Sequence, residues 1–139
     1  YLTYLGQGNQ LLPGAEELCR ELRGAGCLLA LATNGVARVQ RARLESSPLK
    51  PYFSAIFISQ ELGAQKPQQA FFQAVFDALD IRDRHQCVMV GDTLGSDILG
   101  GLAAGIDTIW YNPRGLSSGD IHPTYTASSF QEVRRFILS

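Results

Sequence analysis

Apolar positions along this chain fall into two alternating patterns. The first is a short, unbroken apolar run. CLLALAT, from Cys27 to Thr33, has no polar alternation, which suits a parallel strand covered on both faces. AIFIS (Ala55 to Ser59), VMVG (Val88 to Gly91) and TIWY (Thr108 to Tyr111) read the same way, with Tyr125-Thr126 as a short fifth strand. The second pattern is helical spacing. Ala15, Leu18, Cys19 and Leu22 recur along one face between Pro13, a first-turn proline, and the stop at Gly24 and Gly26. A second helix is expected over 36–47, ended by Pro48 and Pro51, with Arg38, Arg41 and Arg43 as a solvated basic face. A third starts at Lys66-Pro67 and buries a wide stripe of Phe71, Phe72, Val75, Phe76 and Leu79. A small-residue helix begins near Asp97, and the capping box Ser129 with Glu132 announces the last, ahead of Val133, Phe136 and Ile137. Residues 1–12 carry aromatic and leucine side chains without a period and are broken by Gly6, Gly8 and Asn9. Strands alternating with helices predict an α/β, three-layer, Rossmann-like parallel sheet with helices on both faces and right-handed crossovers.

That architecture decides where chemistry is to be sought. Ligands of an open parallel sheet sit beyond the carboxyl ends of its strands. The residues delivered there are Thr33 and Asn34, the loop reaching Lys66, and Asp92 with Asp97. In CVMVGDTLGSDILGGLAAGIDTIWYNP, Gly91 permits a sharp turn, and Ser96 is placed to cap the helix near Asp97. The turn Thr33-Asn34-Gly35 offers a hydroxyl and amides to anionic oxygens, and the helix start behind it adds a favourable dipole. Lys66 supplies positive charge, and the two aspartates supply oxygen ligands for a hard divalent cation such as Mg²⁺. Together these are the parts of a phosphoryl-transfer site. Each also has a plain structural reading: Thr33 as a helix cap, Lys66 as a solvated side chain, and the aspartates as acids at a helix start. Their position on one rim favours the functional reading.

Composition narrows the classes. A chain of 139 residues fits one domain, and 45% hydrophobic with 18% charged residues is ordinary for a globular protein. Twelve basic against thirteen acidic side chains leave a charge of −1 with no basic cluster, so no nucleic acid polymer is expected as a partner. The longest apolar run, Cys27 to Ala32, is too short to span a bilayer, and no leader opens the sequence; no membrane association and a cytoplasmic location are the expectation. Cys19, Cys27 and Cys87 lack CxxC spacing and read as buried reduced thiols, while His85 and His122 read as surface residues.

LATNG after a strand, a later KP, and GDTLGSD after another strand resemble motifs two, three and four of the haloacid dehalogenase (HAD) superfamily of hydrolases. RLESSPLKPYFSAIFISQELGAQKP and VMVGDTLGSDILGGLAAGIDTIWYNP look most similar to its pyrimidine 5′-nucleotidase branch, with N-acylneuraminate-9-phosphate phosphatases close behind. The resemblance implies that Thr33 binds the transferred phosphoryl group with the amides of Asn34 and Gly35. It implies that Lys66 neutralises that group and the nucleophile, that Asp92 ligates Mg²⁺, and that Asp97 holds a metal-bound water or Lys66. The catalytic set is then Thr33, Lys66 and Asp97, and the metal set Asp92 and Asp97. The substrate class implied is a small phosphorylated metabolite, either a nucleoside 5′-monophosphate or another phosphomonoester.

The family's first motif, a strand ending in DxDx[TV], has no counterpart among Asp77, Asp80, Asp83, Asp92, Asp97, Asp107 and Asp120. The resemblance therefore covers a carboxyl-terminal portion, with residues 1–12 as the exit from a preceding cap segment and 13–139 as an incomplete HAD-like core. The central strand and most of the cap are expected to be missing. Without that nucleophile the chain alone is expected to be inactive and to hold Mg²⁺ weakly. An unfilled place between CLLALAT and CVMVG would invite direct pairing of those strands or strand borrowing through self-association. The alternative to a phosphatase portion is a non-catalytic HAD-like fragment or interaction domain. A receiver-type domain is disfavoured because CLLALAT ends in Thr-Asn, and a dinucleotide-binding domain because no GxGxxG follows the first strand.

Overall fold

A computed structural model describes residues 3–6 and 14–139. Six strands form one sheet in which every neighbouring pair is parallel: β1 (Thr3–Gly6), β2 (Leu28–Thr33), β3 (Ala55–Ile58), β4 (Cys87–Gly91), β5 (Asp107–Tyr111) and β6 (Tyr125–Ala127). Their order is β3-β2-β1-β4-β5-β6. The helices are α1 (Ala15–Gly24), α2 (Ala37–Glu45), α3 (Ser59–Leu62), α4 (Gln69–Ala78), α5 (Leu99–Ala103) and α6 (Phe130–Leu138).

Two cores, one on each face of the sheet, account for the unbroken apolar runs. Leu29 of β2 and Val88 and Val90 of β4 pack with Leu18 and Leu22 of α1 and Val133 and Ile137 of α6. Their alternate neighbours, Ala30, Ala32, Cys87 and Met89, face Phe71, Phe72, Val75 and Phe76 of α4. A strand with both faces covered has no position left for a polar residue. The three cysteines lie buried in these layers as thiols. Burial, with the nearby Glu16 carboxylate second, pushes the Cys19 thiol up to about 11, so it stays protonated at neutral pH.

The place expected to be vacant is filled from within the chain. Thr3–Gly6 lies between β2 and β4, pairing Thr3 with Leu28 and Cys87, and Gly6 with Leu31 and Val90. Neither direct β2–β4 pairing nor a borrowed strand is needed to complete this sheet. Four residues without an apolar run carry no periodic signal, which is why the sequence does not announce this strand. The expectation for Pro13, and for the rest of 1–12 beyond Thr3–Gly6, lies outside the described residues.

Smaller differences have local causes. The 36–47 helix runs Ala37–Glu45 and buries only Leu44, with Arg38, Arg41 and Arg43 exposed as expected. Arg41 meets Glu61 of α3 through two hydrogen bonds of 2.7 and 2.6 Å. The single turn α3, loop-like in sequence, ends at Gly63, whose φ of 74° suits a residue without a Cβ. The helix expected from Lys66-Pro67 begins at Gln69, after a turn. Ser96 does not cap a helix at Asp97. A π-helical turn, Leu94–Ile98, joins β4 to α5, its N-cap is Thr93, and no side chain caps it.

Candidate functional site

β2 and β4 end at the same edge of the sheet on either side of β1, and the loops leaving them bring the expected residues to one rim. Lys66 reaches that rim from the loop before α4. Its Nζ donates to Asp97 Oδ1 at 2.6 Å and to the Ala32 carbonyl at 2.9 Å, and both charged side chains are at most 1% exposed. The solvated reading of Lys66 is therefore overturned: this is a buried ion pair linking β2, the α4 approach and the turn after β4. Asn34 secures it further. Its Oδ1 accepts the Lys66 N–H at 2.9 Å and its Nδ2 donates to the Lys66 carbonyl at 3.0 Å, so one side chain clamps both polar groups of the lysine backbone.

Thr33 ends β2 at 5% exposure, and its hydroxyl donates to the Asn34 carbonyl at 3.3 Å, a long bond that a better acceptor can replace. It does not cap α2, whose N-cap is Val36. Gly35 departs from expectation. Its N–H, expected as a donor to an anion, instead donates to Ser59 Oγ at 2.8 Å, and its φ of 150° is open to glycine. Ser59 is absent from the residues that the motifs single out. It follows β3 directly, so the rule that chemistry gathers after strand ends would find it.

Asp92 is exposed at the end of β4, with its Oδ1 accepting from Thr93 Oγ1 at 3.1 Å. Asp97 is fully buried, and its second oxygen accepts the Thr93 N–H at 3.3 Å. Gly91 is needed for room rather than for its turn: a Cβ there would lie 2.2 Å from Asp97 Oδ2 and 2.5 Å from Asp97 Cβ. Trp110 of β5, paired with Gly91 and 4% exposed, donates its indole N–H to the Asp92 carbonyl at 3.1 Å. Sequence reasoning misses it too, because a tryptophan in an apolar strand reads as core. His85 and His122 are exposed, in line with the sequence reading.

Burial controls the charges. It pushes the Lys66 ammonium below its ordinary range, against the attraction of Asp97 and, more weakly, Asp92. Burial likewise pushes the Asp97 carboxyl up, opposed by Lys66 and the Thr93 N–H. Among the described residues no three His, Cys, Asp or Glu side chains converge on one point. The donor set still suits Mg²⁺ in kind, since that ion often takes one or two carboxylates and completes its shell with water and phosphate oxygens. Asp92, which accepts from Thr93 Oγ1, is the exposed carboxylate, while both oxygens of the buried Asp97 are hydrogen-bonded within the protein.

Known proteins resemble this chain over most of its length. The pyrimidine 5′-nucleotidase PynA of Streptococcus pneumoniae is 41% identical over 134 residues, 96% of this chain and 56% of that protein. The mouse N-acylneuraminate-9-phosphatase is 39% identical over 127 residues, 88% of this chain and 48% of that protein. The crystal structure of the Bacillus subtilis HAD-hydrolase YfnB bound to magnesium superposes with a TM-score of 0.85 at 35% identity, covering 91% of this chain and 55% of that one. The chain thus spans about half the length of the curated relatives it matches. No helix among the described residues is long and apolar enough to cross a membrane. The family model for haloacid dehalogenase-like hydrolases matches residues 2–105, and the chain belongs to that family.

Proposed function

We propose that this chain is the carboxyl-terminal core portion of a Mg²⁺-dependent phosphatase. Its substrate class is a small phosphomonoester, with nucleoside 5′-monophosphates first. The observation that carries the proposal is the buried Lys66–Asp97 pair set against Thr33 and Asp92 on one rim. Keeping an ammonium at 1% exposure is costly. A site whose ligand is a dianionic phosphoryl group gives that charge a task beyond its internal partner.

In this reading Thr33 exchanges its weak internal bond for a phosphoryl oxygen. Lys66, pinned by Asn34, Ala32 and Asp97, places positive charge beside the phosphoryl group without moving. Asp97 orients Lys66. Asp92 holds Mg²⁺, which when bound supplies charge neutralisation to phosphate oxygens. The phosphoryl group passes to an aspartate outside this chain, forming an aspartyl-phosphate as the ester P–O bond breaks and the leaving alkoxide takes a proton. Water then releases phosphate. The relation of the rest of 1–12 to a cap segment and a cytoplasmic location belong to the same proposal, Thr3–Gly6 having its place in the core sheet. The names of the nucleotidase and phosphatase relatives support it, as does the magnesium in YfnB.

The test is phosphate release by the full-length gene product from a panel of nucleoside monophosphates and sugar phosphates, with Mg²⁺ and with chelator. Hydrolysis that needs Mg²⁺ and exceeds that of this chain alone is expected. Full activity in chelator, or none on any phosphomonoester, contradicts the proposal and favours a non-catalytic interaction domain.

A further inference from the structure

One peptide unit on the rim is bonded at both of its polar ends. The Asp92 carbonyl accepts from Trp110 Nε1 at 3.1 Å, and the Thr93 N–H donates to Asp97 Oδ2 at 3.3 Å. A planar peptide held this way cannot swing about the bonds flanking it without breaking one of the two. The Asp92 Cα lies in that plane, and its other backbone neighbour, Gly91, is held in β4, so the two bonds together with the strand set the direction from which its carboxylate starts. The Thr93 hydroxyl, one residue on, donates to Asp92 Oδ1.

The indole N–H is more than packing requires. Trp110 lies in β5 beside Ile109, both almost fully buried, and a phenyl ring would supply apolar area at that place. What the indole adds is a single donor, aimed at the carbonyl of the exposed acid on the neighbouring strand. From there the bonds continue: the Asp92–Thr93 peptide to Asp97, Asp97 to Lys66, and Lys66 to the Ala32 carbonyl just before Thr33. The series runs from β5 across the end of β4 to β2, joining the metal side of the rim to the phosphate side.

We infer that Trp110 is a positioning residue: through the Asp92 carbonyl, its indole N–H fixes the carboxylate of Asp92 for a divalent cation and keeps the Thr93 N–H on Asp97. This rests on the reading of Asp92 as the metal-holding acid. Trp110 is the chain's only tryptophan, so its indole N–H gives one resonance and serves as the probe without any substitution.

The experiment titrates this chain with Mg²⁺ while following that resonance, and measures Mn²⁺ affinity by electron paramagnetic resonance. The variants are Asp92→Asn, Trp110→Phe and the chain carrying benzothienylalanine at position 110, which keeps the bicyclic shape but lacks the N–H. A ring-fluorinated tryptophan, which keeps the N–H, is the conservative control. The indole resonance is expected to move with Mg²⁺ in the unaltered chain and not in Asp92→Asn. Mn²⁺ binding is expected to weaken about tenfold on loss of the N–H and to return with the fluorinated indole. Equal Mn²⁺ affinity with and without the N–H overturns the role of Trp110 and leaves the metal reading standing. No metal response in the unaltered chain even at Mg²⁺ concentrations high enough to fill a weak site, or the same response in Asp92→Asn, overturns both.

Discussion

Lys66 and Asp97 show how a single residue's setting changes its meaning. In the sequence, a lysine ahead of a proline is an ordinary surface residue; in the fold it is almost wholly enclosed and bonded to a carboxylate and a carbonyl. Two buried charges depend on each other. Removing either one, as in Lys66→Met or Asp97→Leu, leaves an uncompensated charge and is expected to cost about 3–5 kcal/mol in urea unfolding. The double variant Lys66→Met/Asp97→Leu is expected to be markedly more stable than either single one, because neither charge remains. If it is as unstable as the worse single variant, the two side chains do not act as one unit.

The pH dependence follows from the direction of each shift. Asp97, raised by burial, contributes stability that is fully present below its unfolded-state pKa and is lost as pH rises through the raised folded value. Lys66, lowered by burial, contributes stability that is present above its unfolded-state pKa and is lost as pH falls through the lowered folded value. Both costs are in force only between the raised Asp97 value and the lowered Lys66 value. The stability of the double variant relative to the unaltered chain is therefore expected to be highest in that interval and to fall on either side of it, which pH-dependent unfolding of the two will show.

At the scale of elements, the strands covered on both faces are legible because an apolar run this short and continuous fits little else than a buried strand. β2, β4 and β5 fall within a residue or so of their expected bounds. The turns between them are less legible, since tertiary contacts settle them. The π-helical turn after Asp92 exists where Asp97 turns inward to Lys66 and Thr93, and nothing local in GDTLGSD announces that. Gly91 has the sequence setting of a hinge, whereas the fold needs it as empty space for Asp97. The capping box of α6 is present in part. Ser129 Oγ accepts the Glu132 N–H at 3.2 Å, but the Glu132 carboxylate returns to the N–H and hydroxyl of Ser128, one residue earlier, which holds that carboxyl below its ordinary range. Ser129→Ala is expected to lower stability by about 1 kcal/mol and Ser129→Asp to restore most of it, measured by thermal unfolding. An unchanged midpoint in Ser129→Ala would mean that Ser128 alone caps the helix.

Over the whole molecule, one sheet gathers what the sequence scatters. Thr33, Lys66, Asp92 and Asp97 span 65 positions of chain yet meet at one edge of the sheet, where Lys66 bonds Asp97 and the Ala32 carbonyl beside Thr33 and is coupled to the charge of Asp92. The order of the motifs foretells that rim because parallel topology sends every strand's carboxyl end the same way. The filling of the central place by Thr3–Gly6 is not foretold, since it depends on what the neighbouring strands leave open rather than on those four residues. The rim supplies an ammonium, a hydroxyl and an exposed carboxylate, half of the phosphate-and-metal site that the proposed function requires. The most direct measurement of that claim is the rate of phosphate release from a nucleoside 5′-monophosphate by the full-length gene product carrying Asp92→Asn, beside the unaltered protein at saturating Mg²⁺. A loss of about a hundredfold or more, with the protein still folded, is expected. A rate within about twofold of the unaltered protein, a barrier difference of only ~0.4 kcal/mol, would contradict it.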